Sequence, residues 1–213
     1  ADIEEYVICS ISGTVPSGKC PTQRSEIFAK GQPPLDADED LWRTVEIDTW
    51  TNLRASDECG DDFTDSELTL NVTDKWAIKW IEENEKGQAW AESLGFSDPV
   101  VFTPTRACKS SDSRPTIEFS GLSDGQTIYV SPLEIYALVN ATGDFRRFYL
   151  DYGIGEKPKD WTRLVPKGGS VSGTPQLLTT WDFSSLQQGT VTLRLVMENT
   201  NGGSAMRTIH LNL

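Results

Sequence analysis

Cysteine and histidine are the residue types of this sequence that most often bind metals or take part in catalysis. The chain has four cysteines and a single histidine, His210. A zinc site usually takes about four such ligands, often with Cys-x-x-Cys spacing, and no two of these cysteines have that spacing. We therefore expect no metal site and interpret the cysteines as disulfide partners. The four cysteines are Cys9, Cys20, Cys59 and Cys108.

Four cysteines allow three pairings, and the loops between them favour one. Cys9 and Cys20 enclose a turn-rich segment, so little chain entropy opposes their closure. Cys59 and Cys108 enclose a stretch with helical spacing, and their bond would tie its exit to its entry. We predict Cys9–Cys20 and Cys59–Cys108, with four free thiols as the alternative. Disulfides indicate an oxidising, extracytoplasmic setting.

The motifs of nucleophilic catalysis and of nucleotide binding are missing from the sequence. No serine has a lysine three positions later, and neither Lys-Thr-Gly nor Gly-x-x-x-x-Gly-Lys-Ser/Thr occurs. His210 alternates with apolar residues in the last apparent strand, which predicts a place on a solvent face rather than in a catalytic triad. We expect no catalytic residues and no cofactor.

The net charge of −13 limits the partners of the chain. Such an acidic protein is repelled by nucleic acid and by anionic lipid, so we expect neither as a partner. An acidic loop raises the alternative of a calcium site, but it lacks the residue order of an EF-hand, and we interpret it as a solvated loop. Its acids are Asp57, Glu58, Asp61, Asp62 and Asp65.

The charge divides the chain near residue 110. Residues 1–110 hold 10 basic and 22 acidic side chains, whereas residues 111–213 hold 9 and 10. We therefore predict one domain over 1–110 and a second over 111–213. Within the first, residues 73–95 have helical spacing, and we interpret their three tryptophans as a core face, with a sugar-stacking surface as the alternative.

The second part consists of about eight short alternating runs separated by Gly- and Asp-containing turns. Leu193, for example, lies between Val191 and Leu195 on one face of its run. This rhythm predicts an antiparallel β-sandwich. The fold class is therefore mixed and mainly β, with a small disulfide-linked α+β region followed by the sandwich.

Two stretches of the sequence resemble a known family. Val7–Gly13, Cys20-Pro21 and Glu26–Pro34 resemble the segment that follows the transpeptidase domain of class A penicillin-binding proteins, bifunctional glycosyltransferase/transpeptidases. Asp151–Gly155, together with Trp181-Asp182 and Thr190–Leu195, is similar to the immunoglobulin-like module that ends some of these proteins. The residues between 57 and 110 resemble the family more weakly.

The resemblance implies a non-catalytic C-terminal region of a peptidoglycan synthase. The parent would be anchored in the cytoplasmic membrane, with this region outside the cytoplasm and in no direct contact with the membrane. The implied partners are the parent transpeptidase domain, peptidoglycan or a cell-wall protein. The alternatives are a carbohydrate-active or carbohydrate-binding module and a passive spacer.

Overall fold

The computed structural model describes residues 2–213, which form thirteen strands, two α-helices and one 3₁₀ turn, Ala37–Glu39. Within these residues, no helix is both long and apolar enough to cross a membrane. The strands are β1 (Ile3–Cys9), β2 (Gln23–Ala29), β3 (Trp42–Asp48), β4 (Leu53–Arg54), β5 (Thr64–Leu70), β6 (Pro115–Ser120), β7 (Gln126–Thr127), β8 (Leu133–Ala141), β9 (Phe145–Ile154), β10 (Thr162–Gly168), β11 (Gln176–Trp181), β12 (Thr190–Asn199) and β13 (Ser204–Asn212). The helices are α1 (Lys75–Glu83) and α2 (Glu85–Ser93).

The chain divides into two compact units that are discontinuous in sequence. The first contains the described residues up to Ile47 and Asp65–Ala107, and the second contains Asp48–Thr64 and Cys108–Leu213. The charge pattern predicts a single boundary near residue 110. The units of the structure are discontinuous because Asp48–Thr64, an excursion between β3 and β5, belongs with the sandwich.

The first unit combines two small sheets with the helix pair. Strands β1 and β2 form an antiparallel hairpin, and β3 neighbours β5 in a separate sheet. Trp42 is buried in the core of this unit and donates its indole hydrogen to the carbonyl oxygen of Leu94 over 3.0 Å. The other buried residues of this core are Cys9, Leu70, Ile81, Ala91 and Phe96.

The helices α1 and α2 lie within the predicted helical segment 73–95. Asp74 caps α1 by accepting a hydrogen bond from the backbone nitrogen of Ala77 over 2.9 Å. Asn84 ends α1 and caps α2. Gly87 lies inside α2, where an added Cβ would come within 2.2 Å of the Trp80 carbonyl oxygen. The two helices therefore pack closely at this glycine.

The predicted core face of three tryptophans is wrong for Trp76 and Trp80, whereas Trp90 is half-buried and packs against the core. Trp76 is 81% exposed and Trp80 is 44% exposed, whereas Ile81 and Ala91 are buried. Ile81 and Ala91 belong to the core of the first unit. The indoles of Trp76 and Trp80 are left on the exposed side of α1.

The second unit is a β-sandwich of two sheets. One has the strand order β10-β9-β12-β13-β7 and the other β11-β8-β6. All of these pairs are antiparallel except β13 with β7. The predicted fold class, a small α+β region followed by an antiparallel sandwich, is confirmed. The buried core of the sandwich includes Ile135, Ala137, Val139, Leu150, Leu193, Leu195, Met197 and Leu211.

Trp50 joins the excursion to this core. Its side chain is fully buried among the sandwich residues. Its carbonyl oxygen accepts a hydrogen bond from the side-chain nitrogen of Asn199. Gly203 approaches the same carbonyl so closely that an added Cβ would lie 2.0 Å from it. The excursion is therefore part of the sandwich and not a surface loop.

Candidate functional site

The four cysteines form two disulfides. Cys9 pairs with Cys20 and Cys59 with Cys108, at Cα–Cα distances of 6.0 and 6.1 Å. This is the pairing that the loops between the cysteines predict. Within residues 2–213 no cysteine is free. The sequence analysis placed all four cysteines before the sandwich. The structure instead assigns Cys59 and Cys108 to the second unit.

Asp40 lies beside the first disulfide, but its carboxylate holds a loop together. It accepts hydrogen bonds from the Ser12 hydroxyl and from the Ser17 backbone nitrogen, each over 2.7 Å. Burial acts to raise the pKa of Asp40, and the hydrogen bonds from Ser17 and Ser12 outweigh it, so the pKa lies below the ordinary value. Because a disulfide sulfur carries no thiolate, this group is not a set of metal ligands.

The acidic loop does not converge on a common point. Asp62 pairs with Arg207 over 3.2 Å, and Glu58 accepts a hydrogen bond from the Ser110 backbone nitrogen over 3.0 Å. Among residues 2–213, the groups of converging metal-ligating atoms are the two that contain a disulfide, and the loop forms neither by itself.

His210 lies on the outer side of β13, with a side chain that is 36% exposed. Its Nδ1 lies 2.8 Å from an Asp124 carboxylate oxygen, and its backbone nitrogen donates to the same oxygen over 2.6 Å. The hydrogen bond with Asp124 is the main cause that raises the pKa of His210. The residue therefore forms a surface ion pair.

The outer face of the larger sheet carries a network of ion pairs. Asp151 on β9 lies opposite both Arg163 on β10 and Arg194 on β12, and paired residues of antiparallel strands point to the same side. Asp151 is only 1% exposed and accepts from both guanidinium groups. Further along, Glu198 accepts from Arg147 and, over 3.0 Å, from Lys167.

Aromatic rings hold these cations in place. The Arg194 guanidinium lies 3.9 Å from the centre of the Trp161 ring, and the Arg163 guanidinium lies 3.9 Å from that of Tyr149. Lys167 lies 5.0 Å from the same tyrosine ring. Such cation–π contacts fix long side chains in one geometry.

We call this surface the arginine face. It consists of Arg147, Tyr149, Asp151, Trp161, Arg163, Lys167, Arg194 and Glu198. The sequence patterns considered above did not indicate this face. The signal present in the sequence is the alternation of charged side chains with core residues, since Arg194 lies between Leu193 and Leu195.

A second surface of interest is the tryptophan surface, formed by Trp76, Trp80 and Trp90 in the first unit. Trp76 and Trp80 are four residues apart on α1 and therefore lie on one side of the helix. The rings of Trp80 and Trp90 are tilted against each other, with centroids 6.3 Å apart. Exposed aromatic rings of this kind are typical of contact surfaces.

One end of the sandwich has a cleft of about 720 Å³. Its lining includes Gln187, Gln188 and Leu186, with Glu156 as its one carboxylate. A glycoside hydrolase usually needs a pair of carboxylates across the scissile bond. The described lining of this cleft does not supply that pair.

The comparisons with known proteins concern the beginning of the chain. Residues 1–41 match the family described as penicillin-binding protein 1A, C-terminal domain. The match takes in the β1–β2 hairpin and the Cys9–Cys20 disulfide. It supports a C-terminal region of a class A penicillin-binding protein. No curated protein and no solved structure matches the chain.

Proposed function

We propose that this chain is a non-catalytic accessory region of a peptidoglycan synthase. It positions the synthase through contacts with the cell-wall polymer, a partner protein or the parent's own transpeptidase domain. The observation that carries this proposal is the family match over residues 1–41. The match includes Cys9 and Cys20, whose disulfide closes the loop beside β1.

The chemistry of the chain agrees with a binding role. The sequence contains no Ser-x-x-Lys acylation motif, and its only histidine is engaged with Asp124. The disulfides Cys9–Cys20 and Cys59–Cys108 support an extracytoplasmic location. A two-sheet sandwich is a common scaffold for binding surfaces, but a fold alone does not define a function. We further propose that this sandwich is immunoglobulin-like.

Removal of this region from the parent synthase tests the proposal. The truncated synthase should still be labelled by a fluorescent penicillin, because the acylation site lies elsewhere. In cells that depend on it, however, the truncated enzyme should lose its normal position or its normal rate of wall synthesis. Normal position and rate without the region would contradict an accessory role and leave only a spacer.

A second candidate function is binding of an uncharged glycan at the tryptophan surface. The exposure of Trp76 and Trp80, at 81% and 44%, favours it, because free indole faces stack on sugar rings. The double variant Trp76→Ala/Trp80→Ala should then lose affinity for soluble chitin oligosaccharides, which carry no charge. Tyr129→Ala, which removes a ring that is 89% exposed in the second unit, provides a control outside this surface. Equal affinity of the double variant and the unchanged chain would exclude this candidate.

A further inference from the structure

We propose that the arginine face binds carboxylate groups of an anionic polymer. The inference rests on the proposed function, under which that polymer is peptidoglycan, whose stem peptides carry free carboxylates.

Two arginines of this face have hydrogen-bond donors that no group within the described residues uses. Arg163 donates from Nε to Asp151, and Arg147 donates from Nε to Glu198. The terminal nitrogens of both guanidinium groups have no hydrogen-bond partner among residues 2–213. A guanidinium that is held through Nε still presents its two-pronged end. That end matches the two oxygens of a carboxylate.

The cations of this face are held in place before any ligand binds. Asp151 is buried and forms an ion pair with Arg163, and the Arg163 guanidinium lies over the ring of Tyr149. Lys167 is held over the same ring and by Glu198. The side chains of Arg163 and Lys167 remain 38% and 43% exposed. Cations that are ordered before binding lose less side-chain entropy when a ligand arrives, which favours affinity.

The charge of the arginine face is complementary to that of an anionic ligand. The arginine face has four cations and two carboxylates, which leaves two positive charges in excess. The chain as a whole has a net charge of −13, so most of its surface repels an anionic ligand. An anionic polymer is therefore directed to this face.

The cations of this face are spread over several strand positions. The guanidinium groups of Arg163 and Arg194 meet at the Asp151 carboxylate. Arg147 lies four residues from Asp151 along β9, which corresponds to about 13 Å at the usual rise per residue. One small anion cannot reach both this pair and Arg147. A polymer with carboxylates at intervals can occupy several of them at once, and its affinity rises accordingly.

The test is co-sedimentation of the intact chain with purified peptidoglycan, with two interventions. In the first, the peptidoglycan carboxylates are converted to amides. In the second, the protein carries Arg163→Gln and Lys167→Gln. The matched control, Lys19→Gln/Lys30→Gln, makes the same change in net charge on exposed side chains of the first unit. Thermal unfolding of each variant verifies that it is folded.

We expect amidation and the arginine-face variant each to weaken binding by about tenfold or more, and the control variant to bind like the unchanged chain. Binding that survives amidation would overturn the role of carboxylates. Binding that is lost on amidation but kept in the folded arginine-face variant would overturn this face as the site. If the chain binds the transpeptidase domain but no peptidoglycan, this inference fails while the proposed function stands.

Discussion

Trp50 donates its indole hydrogen to the side-chain oxygen of Ser113 over 2.9 Å, which ties the excursion to the residues just before the sandwich's first strand. The same residue fills the sandwich core and is held by Asn199. A residue that precedes the sandwich by more than sixty positions is thus one of its core residues. The stability of the sandwich therefore depends on the excursion.

Trp50→Ala should lower the free energy of unfolding of the second unit by about 3–5 kcal/mol, because it removes a large, fully buried side chain. Trp76→Ala makes the same change at a side chain that is 81% exposed and should alter stability by less than about 0.5 kcal/mol. Denaturant unfolding measures both. Equal effects of the two substitutions would contradict the assignment of Trp50 to the core.

The disulfide Cys59–Cys108 should stabilise the second unit, since both cysteines belong to it. Their separation of 49 residues corresponds to about 4 kcal/mol in the chain-entropy model. Cys59→Ser/Cys108→Ser should lower the unfolding midpoint of this unit. Cys9→Ser/Cys20→Ser, in the first unit, serves as control and should leave that midpoint in place. An unchanged midpoint in the first variant would show that the excursion is held by packing alone.

The His210–Asp124 pair should contribute to stability only within a limited pH range. The raised pKa of His210 means that its contribution is complete below its unfolded pKa of about 6.5 and is lost as the pH rises through the folded value. The lowered pKa of Asp124, caused mainly by the hydrogen bond from the His210 backbone, means that its own contribution is lost in acid. NMR titration of the single histidine should give a midpoint above 6.5, and Asp124→Asn should lower it. Identical midpoints would refute the ion pair.

The chain should not be acylated by β-lactams, because it has no serine followed three positions later by lysine. Incubation with a fluorescent penicillin, followed by a denaturing gel, should leave it unlabelled. An authentic penicillin-binding protein in the same gel provides the positive control. A labelled band for this chain would contradict the non-catalytic account.

The regular parts of the fold follow from local sequence patterns. Leu193 and Leu195 alternate with polar residues, and both are fully buried as that alternation predicts. His210 lies on the opposite side from Leu211, as the same period of two requires. The disulfide pairing could also be predicted from the sequence, because cysteine spacing and loop length bear directly on pairing.

The remaining features depend on contacts between distant residues. Nothing in the neighbourhood of Trp50 indicates that Asn199 and Gly203 surround its carbonyl group. Helical spacing predicts that Trp76 and Trp80 share a side of α1, but not which side faces the core. That depends on what the helix packs against, and Ile81 is the α1 residue that is buried. The arginine face likewise requires the register of three strands, which periodicity alone does not supply.

The central claim is that this chain is a binding region of a wall synthase and carries no chemistry of its own. Its most direct test is to measure binding of the intact chain to two targets, purified peptidoglycan and the isolated transpeptidase domain of the parent. The account predicts saturable binding to at least one of them. Absence of binding to both, with a folded protein and both disulfides intact, would contradict it.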